Sequence, residues 1–193
     1  MVLTKVLWLG RALGVLALLI VPLAHANIVV NGGFEAGDLS GWTVSGSLIA
    51  ADNVLDLPYY HPKEGNWWAD FGTVPPTVGS LSQTLPTLAG QNYQVSFWLK
   101  YDGDPNAYFK ARWNGTPLLA LGPGAAFDYT KFEFNVSATG SGTLLDFQAN
   151  NESGDWLLDN VTAAVPEPQT WLMGLFTTVG LGGFFARKYL RRR

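Results

Sequence analysis

The chain contains no cysteine, and of its 193 residues only His25 and His61 are histidines. Without thiols there are no disulfides and no thiolate metal sites, so an exported form must rely on core packing, sheet hydrogen bonds and at most a bound ion. His-rich zinc sites are excluded as well, and a His-dependent triad would have only His61 to use once the N-terminal segment is removed. Positive charge is scarce in the middle of the chain. Between Asn27 and Val165 five cations (Lys63, Lys100, Lys110, Arg112 and Lys131) face fourteen carboxylates, a net charge of −9 that the whole-chain value of −3 conceals. Such a region lacks the cationic footprint that nucleic acid requires. It suits solubility, divalent cations or a neutral polymer. Sustained 3.6-residue periodicity with helix caps is missing too. There is no nucleophile elbow, phosphate-binding glycine loop, metalloprotease helix or EF-hand spacing, and no repeat that would mark a solenoid or propeller.

What is present concentrates first at the two ends. Lys5 and Arg11 precede an apolar stretch from Ala12 to Leu23 and the small-x-small site Ala24-His25-Ala26, the three parts of a secretory signal helix cleaved after Ala26. At the other end Pro166-Glu167-Pro168 precedes an apolar run from Thr170 to Ala186 and then Arg187-Lys188-Tyr189-Leu190-Arg191-Arg192-Arg193. As a helix the run spans roughly 25 Å at about 1.5 Å per residue, within the tolerated range for a membrane span. The basic tail places 187–193 in the cytoplasm and the middle of the chain outside. This order of parts resembles the PEP-CTERM sorting signal of exported bacterial proteins. The resemblance implies export by Sec-type machinery as an inner-membrane-anchored precursor. An exosortase, a membrane protease-transpeptidase, then recognises Pro166, Glu167 and Pro168, removes the tail and delivers the protein to the cell surface or the extracellular matrix of a biofilm. The expected organisation is a signal peptide over 1–26, one domain over 27–163 and a sorting and anchor segment over 164–193, with its transmembrane helix at about 170–186.

The middle reads as strands. Tyr93, Val95, Phe97 and Leu99 alternate with Gln94, Ser96, Trp98 and Lys100, the period of a half-buried strand. From Ala107 to Trp113 the pattern repeats, with Phe109, Ala111 and Trp113 inward and Tyr108, Lys110 and Arg112 outward. Asn114-Gly115 then predicts a tight hairpin into a return strand over 117–121. Phe132, Phe134 and Val136, and Leu145 and Phe147, form two further inward rows, and Trp156 to Thr162 supplies a last strand. Glycine and proline punctuate at short intervals, as at Pro75-Pro76 and Gly122-Pro123-Gly124. Many short strands with regular turns predict an all-β, antiparallel two-sheet jelly-roll sandwich.

Asn31-Gly32-Gly33-Phe34-Glu35 followed by Gly41-Trp42 resembles the opening of carbohydrate-binding-module and galactose-binding-like jelly rolls. Trp156-Leu157-Leu158-Asp159-Asn160-Val161 resembles their closing strand, and Gly65-Asn66-Trp67-Trp68-Ala69, Leu81-Ser82-Gln83-Thr84-Leu85 and Phe97-Trp98-Leu99 fall between them in the family's order. The resemblance implies adjacent first and last strands, with Glu35 and Asp159 as carboxylates of a structural calcium site and Gly65 and Asn66 as carbonyl donors completing it. It also implies a noncatalytic binding module, with exopolysaccharide or another envelope glycan as ligand.

The outward side chains Trp98, Tyr108, Lys110, Arg112 and Trp156 form the candidate ligand platform. Rings stack on the apolar faces of sugars, while Lys, Arg, Gln148 and Asn150 bind hydroxyls. An aromatic that faces outward in sequence either stays open or lies beneath a loop, and a one-residue slip inverts the assignment. Trp67-Trp68 is a second aromatic concentration, equally explained by packing, and His61 reads as a loop residue. No catalytic residue is marked. A structural or protein-binding matrix protein is the alternative reading, and a small glycan hydrolase, whose paired carboxylates no motif identifies, a third.

Overall fold

The computed structural model describes residues 26–46, 49–52, 60–72 and 77–166, and these form strands without a helix. The expected signal helix up to His25, Glu167 and Pro168 of the expected sorting motif, the apolar run and the basic tail lie outside the described residues. The strands are β1 Thr43–Ser45, β2 Ile49–Asp52, β3 Trp68–Phe71, β4 Gly79–Pro86, β5 Asn92–Tyr101, β6 Tyr108–Trp113, β7 Thr116–Leu121, β8 Phe127–Ser137, β9 Gly142–Asn150 and β10 Trp156–Ala164. They build two five-stranded sheets, a first in the order β1-β4-β9-β6-β7 and a second in the order β2-β3-β10-β5-β8. All their pairings are antiparallel. The expected two-sheet sandwich is therefore the observed architecture.

Alternation places the core between the sheets. Val95, Phe97 and Leu99 of β5 meet Phe109 and Ala111 of β6 and Leu145 and Phe147 of β9, all fully buried. Phe97 sits at the centre, its ring centroid 5.2 Å from that of Phe147 and 5.7 Å from that of Phe132. The β6–β7 hairpin turns at Asn114 and Gly115, both with positive φ (48° and 81°), the backbone that a two-residue turn needs to match strand twist. Phe132 and Phe134, expected deep in the core, are only half-buried. Their strand β8 is an edge strand with a neighbour on one side alone, β5, so the inner side chains look out past the rim.

The chain's opening segment docks on β10. The Ile28 amide donates to the Ala163 carbonyl (2.9 Å) and the Val161 amide to the Gly32 carbonyl (2.8 Å). A Cβ on Gly32 would lie 2.0 Å from the Val161 carbonyl oxygen, so only glycine permits this approach. A bulge in β10 between Asp159 and Thr162, with Asn160 at φ 49°, turns Val161 into the core while Asp159 faces the other way.

Candidate functional site

The two outer faces of the sandwich differ. On the second sheet, alternation turns Trp68 and Asp70 of β3, Trp98 and Lys100 of β5, and Leu157 and Asp159 of β10 away from the core. Trp68, Leu157 and Asp159 are nonetheless fully buried, because residues 60–67 run across this face. Tyr60 donates to Asp155 Oδ2 (3.0 Å), the amides of Lys63 and Glu64 donate to Asp159 Oδ2 (2.8 and 3.0 Å), and the Lys63 ammonium lies 4.2 Å from the centre of the Trp98 ring.

The first sheet keeps its outer face open. Its rungs are set by register: Ser82, Asp146 and Arg112 form one, Ser80, Gln148 and Lys110 the next, and Asn150 and Tyr108 a third. Lys110 is exposed, and Ser80, Ser82, Gln148, Asn150, Tyr108 and Arg112 are half-buried. Asp146, almost fully buried, anchors the middle. Its Oδ2 accepts from Arg112 Nε at 2.7 Å and pairs with Nη2 at 2.7 Å, and its Oδ1 accepts from the Ser80 hydroxyl at 3.1 Å. The guanidinium is thereby fixed in plane, its remaining N–H groups without a partner among the described residues. The Lys110 ammonium lies 4.8 Å from the Tyr108 ring centre, within cation–π range. The face is polar, shallow and rich in donors, a surface for hydroxyls and charged oxygens.

The five residues of the expected platform do not come together. Tyr108, Lys110 and Arg112 share this open face, but Trp98 belongs to β5 in the opposite sheet, on the far side of the sandwich and under Lys63. Trp156 is a core residue rather than an outward one: it is fully buried and stacks on Tyr101 with ring centroids 3.8 Å apart. The central strand β10 is covered on both sides, so Trp156-Leu157-Leu158 carries no alternation to fix its register. Trp68 is buried beneath the crossing loop, and Trp67 is half-buried against Gly37, so neither is a free platform. Asp146 and Ser80 escaped the sequence reading. Alternation with Leu145 and Phe147 was the signal that Asp146 faces out, but its partners lie 34 and 66 residues away.

Glu35 and Asp159, expected to hold calcium, both accept amides of the 63–67 segment, and Asn66 offers Glu35 its amide rather than the expected carbonyl. Glu35 Oε1 accepts the Asn66 and Trp67 amides at 2.9 Å each, and Asp159 Oδ1 accepts the Asn160 amide at 2.6 Å. A Cβ on Gly65, whose φ is +70°, would lie 2.2 Å from Glu35 Oε1. The turn thus meets the carboxylates with amides, and two acidic side chains clasp residues 63–67 to the sheet. Burial pushes the Asp159 carboxyl up to about 6, its three amide donors oppose the rise, and Glu35 adds to it. Among the described residues neither carboxylate has a lysine or arginine partner, and Glu35 Oε2 accepts no hydrogen bond. Both Asp159 oxygens are engaged by amides, so a calcium ion held here would find its uncommitted carboxylate oxygen in Glu35 Oε2. Such an ion would take its further ligands from the main chain, because no third acidic or histidine side chain joins these two among the described residues.

A second polar region lies on the roofed side. A cavity of about 620 Å³ is lined by Tyr60, His61, Lys100, Asp102, Phe127 and Asp128, among others. Beside it, burial pushes the Asp70 carboxyl up to about 8, and the charges of Asp155, Asp52 and Asp102 add to the rise. Burial likewise raises Tyr129, with Asp159 and Asp70 contributing. Asp70 Oδ1 and the Tyr129 hydroxyl are buried without a hydrogen-bond partner among the described residues. This cluster could be assembled only by the fold.

No protein-family model matches the chain, and no curated protein matches it in sequence. Solved structures do match. The carbohydrate-binding module TmCBM61, in complex with β-1,4-galactotriose, aligns at TM-score 0.59 and 20% identity over 73% of this chain and 99% of its own. A family 16 carbohydrate-binding module aligns at TM-score 0.56 and 19% identity over 72% of this chain and 99% of its own. A cleaved adhesin domain of Lys-gingipain from Porphyromonas gingivalis aligns at TM-score 0.55 and 12% identity over 72% and 98%. At such identities the likeness establishes the jelly-roll fold.

Proposed function

We propose that this chain is a noncatalytic glycan-binding module, exported and sorted by an exosortase to the cell surface or extracellular matrix, with exopolysaccharide or another envelope glycan as its ligand. One observation carries the binding surface: of the two outer faces, the one made by β4, β9 and β6 stays open and lines up Ser80, Gln148, Asn150, Tyr108, Lys110 and Arg112 in register. Two carbohydrate-binding modules among the similar folds support this reading. A noncatalytic role is favoured because glycoside hydrolysis needs two carboxyl groups flanking the bond. Asp146 is the one carboxylate on the strands of this sheet, and it is held by Arg112 and Ser80. Sorting is supported by the sequence alone, in which Pro166-Glu167-Pro168 is followed by the apolar run over 170–186 and the basic residues 187–193. Calcium held by Glu35 and Asp159 would serve the loop on the opposite face and take no part in binding.

The test is a glycan array probed with the full chain in nonionic detergent and with a Tyr108→Ala, Gln148→Ala double variant. Binding that the double variant loses supports the proposal. An array with no glycan bound, together with retention of matrix proteins, would favour the structural, protein-binding alternative instead. Turnover of chromogenic glycosides would point to a hydrolase.

A further inference from the structure

The net charge of −9 points toward a neutral ligand only if that charge is spread evenly, and it is not. The strands of the second sheet carry Asp52, Asp70, Asp128, Glu133 and Asp159 against Lys100 and Lys131. The strands of the first sheet carry Lys110 and Arg112 against Asp146 alone. Both oxygens of that carboxylate are already engaged, by Arg112 and by Ser80. Lys110 is exposed, has no carboxylate partner among the described residues, and rests beside the Tyr108 ring. The strands of the open sheet therefore carry a net charge of +1, against −3 on those of the second sheet.

Aromatic content argues in the same direction. Neutral glycan chains gain much of their affinity from rings that stack on sugar faces. With Trp98 on the opposite side and Trp156 in the core, Tyr108 is the one aromatic residue on the outward-facing rungs of this sheet. What remains is a fixed guanidinium and a mobile ammonium two residues apart on one strand, roughly 7 Å at about 3.4 Å per residue. Gln148 and Asn150 flank them with amide groups. A guanidinium fork and an adjacent ammonium are the donors that recognise carboxylates.

We infer that the open face takes an acidic polysaccharide, one carrying carboxylates on its sugars, rather than a neutral chain. This rests on the glycan-binding reading above and specifies the ligand's chemical class. Arg112 supplies the fixed contact and Lys110 the flexible one, while the gathering of acids on the other sheet leaves this surface as the place an anionic chain can approach. The effective range of that attraction is about 8 Å at physiological salt, so the chain must lie on the rungs themselves.

Polygalacturonate and its fully methyl-esterified form provide the test, because they share a backbone and differ in charge. Isothermal titration with the full chain in nonionic detergent should show binding of the acid form, weakened several-fold between 50 and 300 mM salt as screening grows. The methyl ester should bind at least tenfold more weakly. Lys110→Gln should cost about tenfold in affinity, and Lys110→Glu should abolish binding of the acid form. Lys110 is exposed, so both variants keep the fold, which circular dichroism verifies. Equal affinity for acid and ester, or an affinity indifferent to salt and to Lys110→Glu, overturns the acidic-ligand inference while leaving a glycan-binding module intact. Equal binding of dextran sulfate by wild type and Lys110→Glu overturns it as well, since attraction would then lie elsewhere. Failure to bind either polymer or any glycan of the array removes the glycan reading itself.

Discussion

Raising the pH from 6 to 8 should destabilise this protein, and Asp70 should be the reason. Its carboxyl is pushed up to about 8 by burial and by Asp155, Asp52 and Asp102, against an ordinary carboxylate value near 3.9. In the folded state it keeps its proton up to about pH 8, while in the unfolded chain it loses the proton near pH 4. Over that window the folded state binds one proton more, so stability is fully present below pH 4 and falls as pH rises through 8. One proton corresponds to about 1.4 kcal/mol per pH unit, or about 2.3 kcal/mol between pH 6 and 8 in the ideal case, because the group is half-titrated at pH 8. The surrounding carboxylates titrate as a coupled set, which reduces the expected loss to roughly 2 kcal/mol, or several degrees of melting temperature. Asp159, pushed up to about 6, adds its own loss between pH 4 and 6 but is silent above that. Asp104 works in the opposite sense and far lower. Burial opposes it, but the amides of Ser153, Asn106 and Glu152 outweigh burial and hold its carboxyl below the usual range. The assay is urea unfolding of the full chain in nonionic detergent, followed by tryptophan fluorescence at pH 5, 6, 7 and 8. Asp70→Asn, nearly isosteric and without an ionisable group, should flatten the profile from pH 6 to 8 and be more stable than wild type at pH 8. A wild-type profile that Asp70→Asn leaves unchanged would refute the reasoning, and the slope would belong to another group.

Phe97→Ala should cost about 3–5 kcal/mol, because its ring meets Phe109, Phe132, Phe134 and Phe147; a midpoint shift in urea without a change in slope checks it. Millimolar calcium against chelator should raise the melting temperature by several degrees if the ion joins Glu35 and Asp159, since a hundredfold excess over Kd stabilises by about 2.7 kcal/mol. Asp159→Asn should abolish that response, and identical melting curves with and without calcium would remove the ion from the account. Glu167→Ala should leave unprocessed precursor in the host membrane, seen as surface protein that mass spectrometry finds missing and a membrane form that keeps Arg193.

Much of the fold was legible because strand periodicity is local. The alternation of Tyr93, Val95, Phe97 and Leu99, the Asn114-Gly115 turn and the inward row of β6 depend on neighbours within a few residues. Alternation also shows which side chains share a face of one strand, and so it placed Tyr108, Lys110 and Arg112 together. It failed at Trp156, where burial on both faces erases the period. The concentration of charge at the two ends and the acidity of the middle were likewise composition, open to reading without any fold.

What the sequence could not contain was which outward faces belong to the same sheet and which of them is covered. Trp98 and Arg112 both point away from the core, yet pairing of β5 with β10 and β8, and of β6 with β9 and β7, puts them on opposite sides. The roof over the second sheet depends on amides of residues 63 and 64 reaching a carboxylate 96 and 95 positions away. Hydrogen bonds and charges act through space, so separations of this length leave no mark on local pattern. The sequence by itself determined an all-β chain with an acidic middle, while tertiary pairing alone decided that the carboxylates of its strands gather on the roofed sheet and leave Lys110 and Arg112 on the open one.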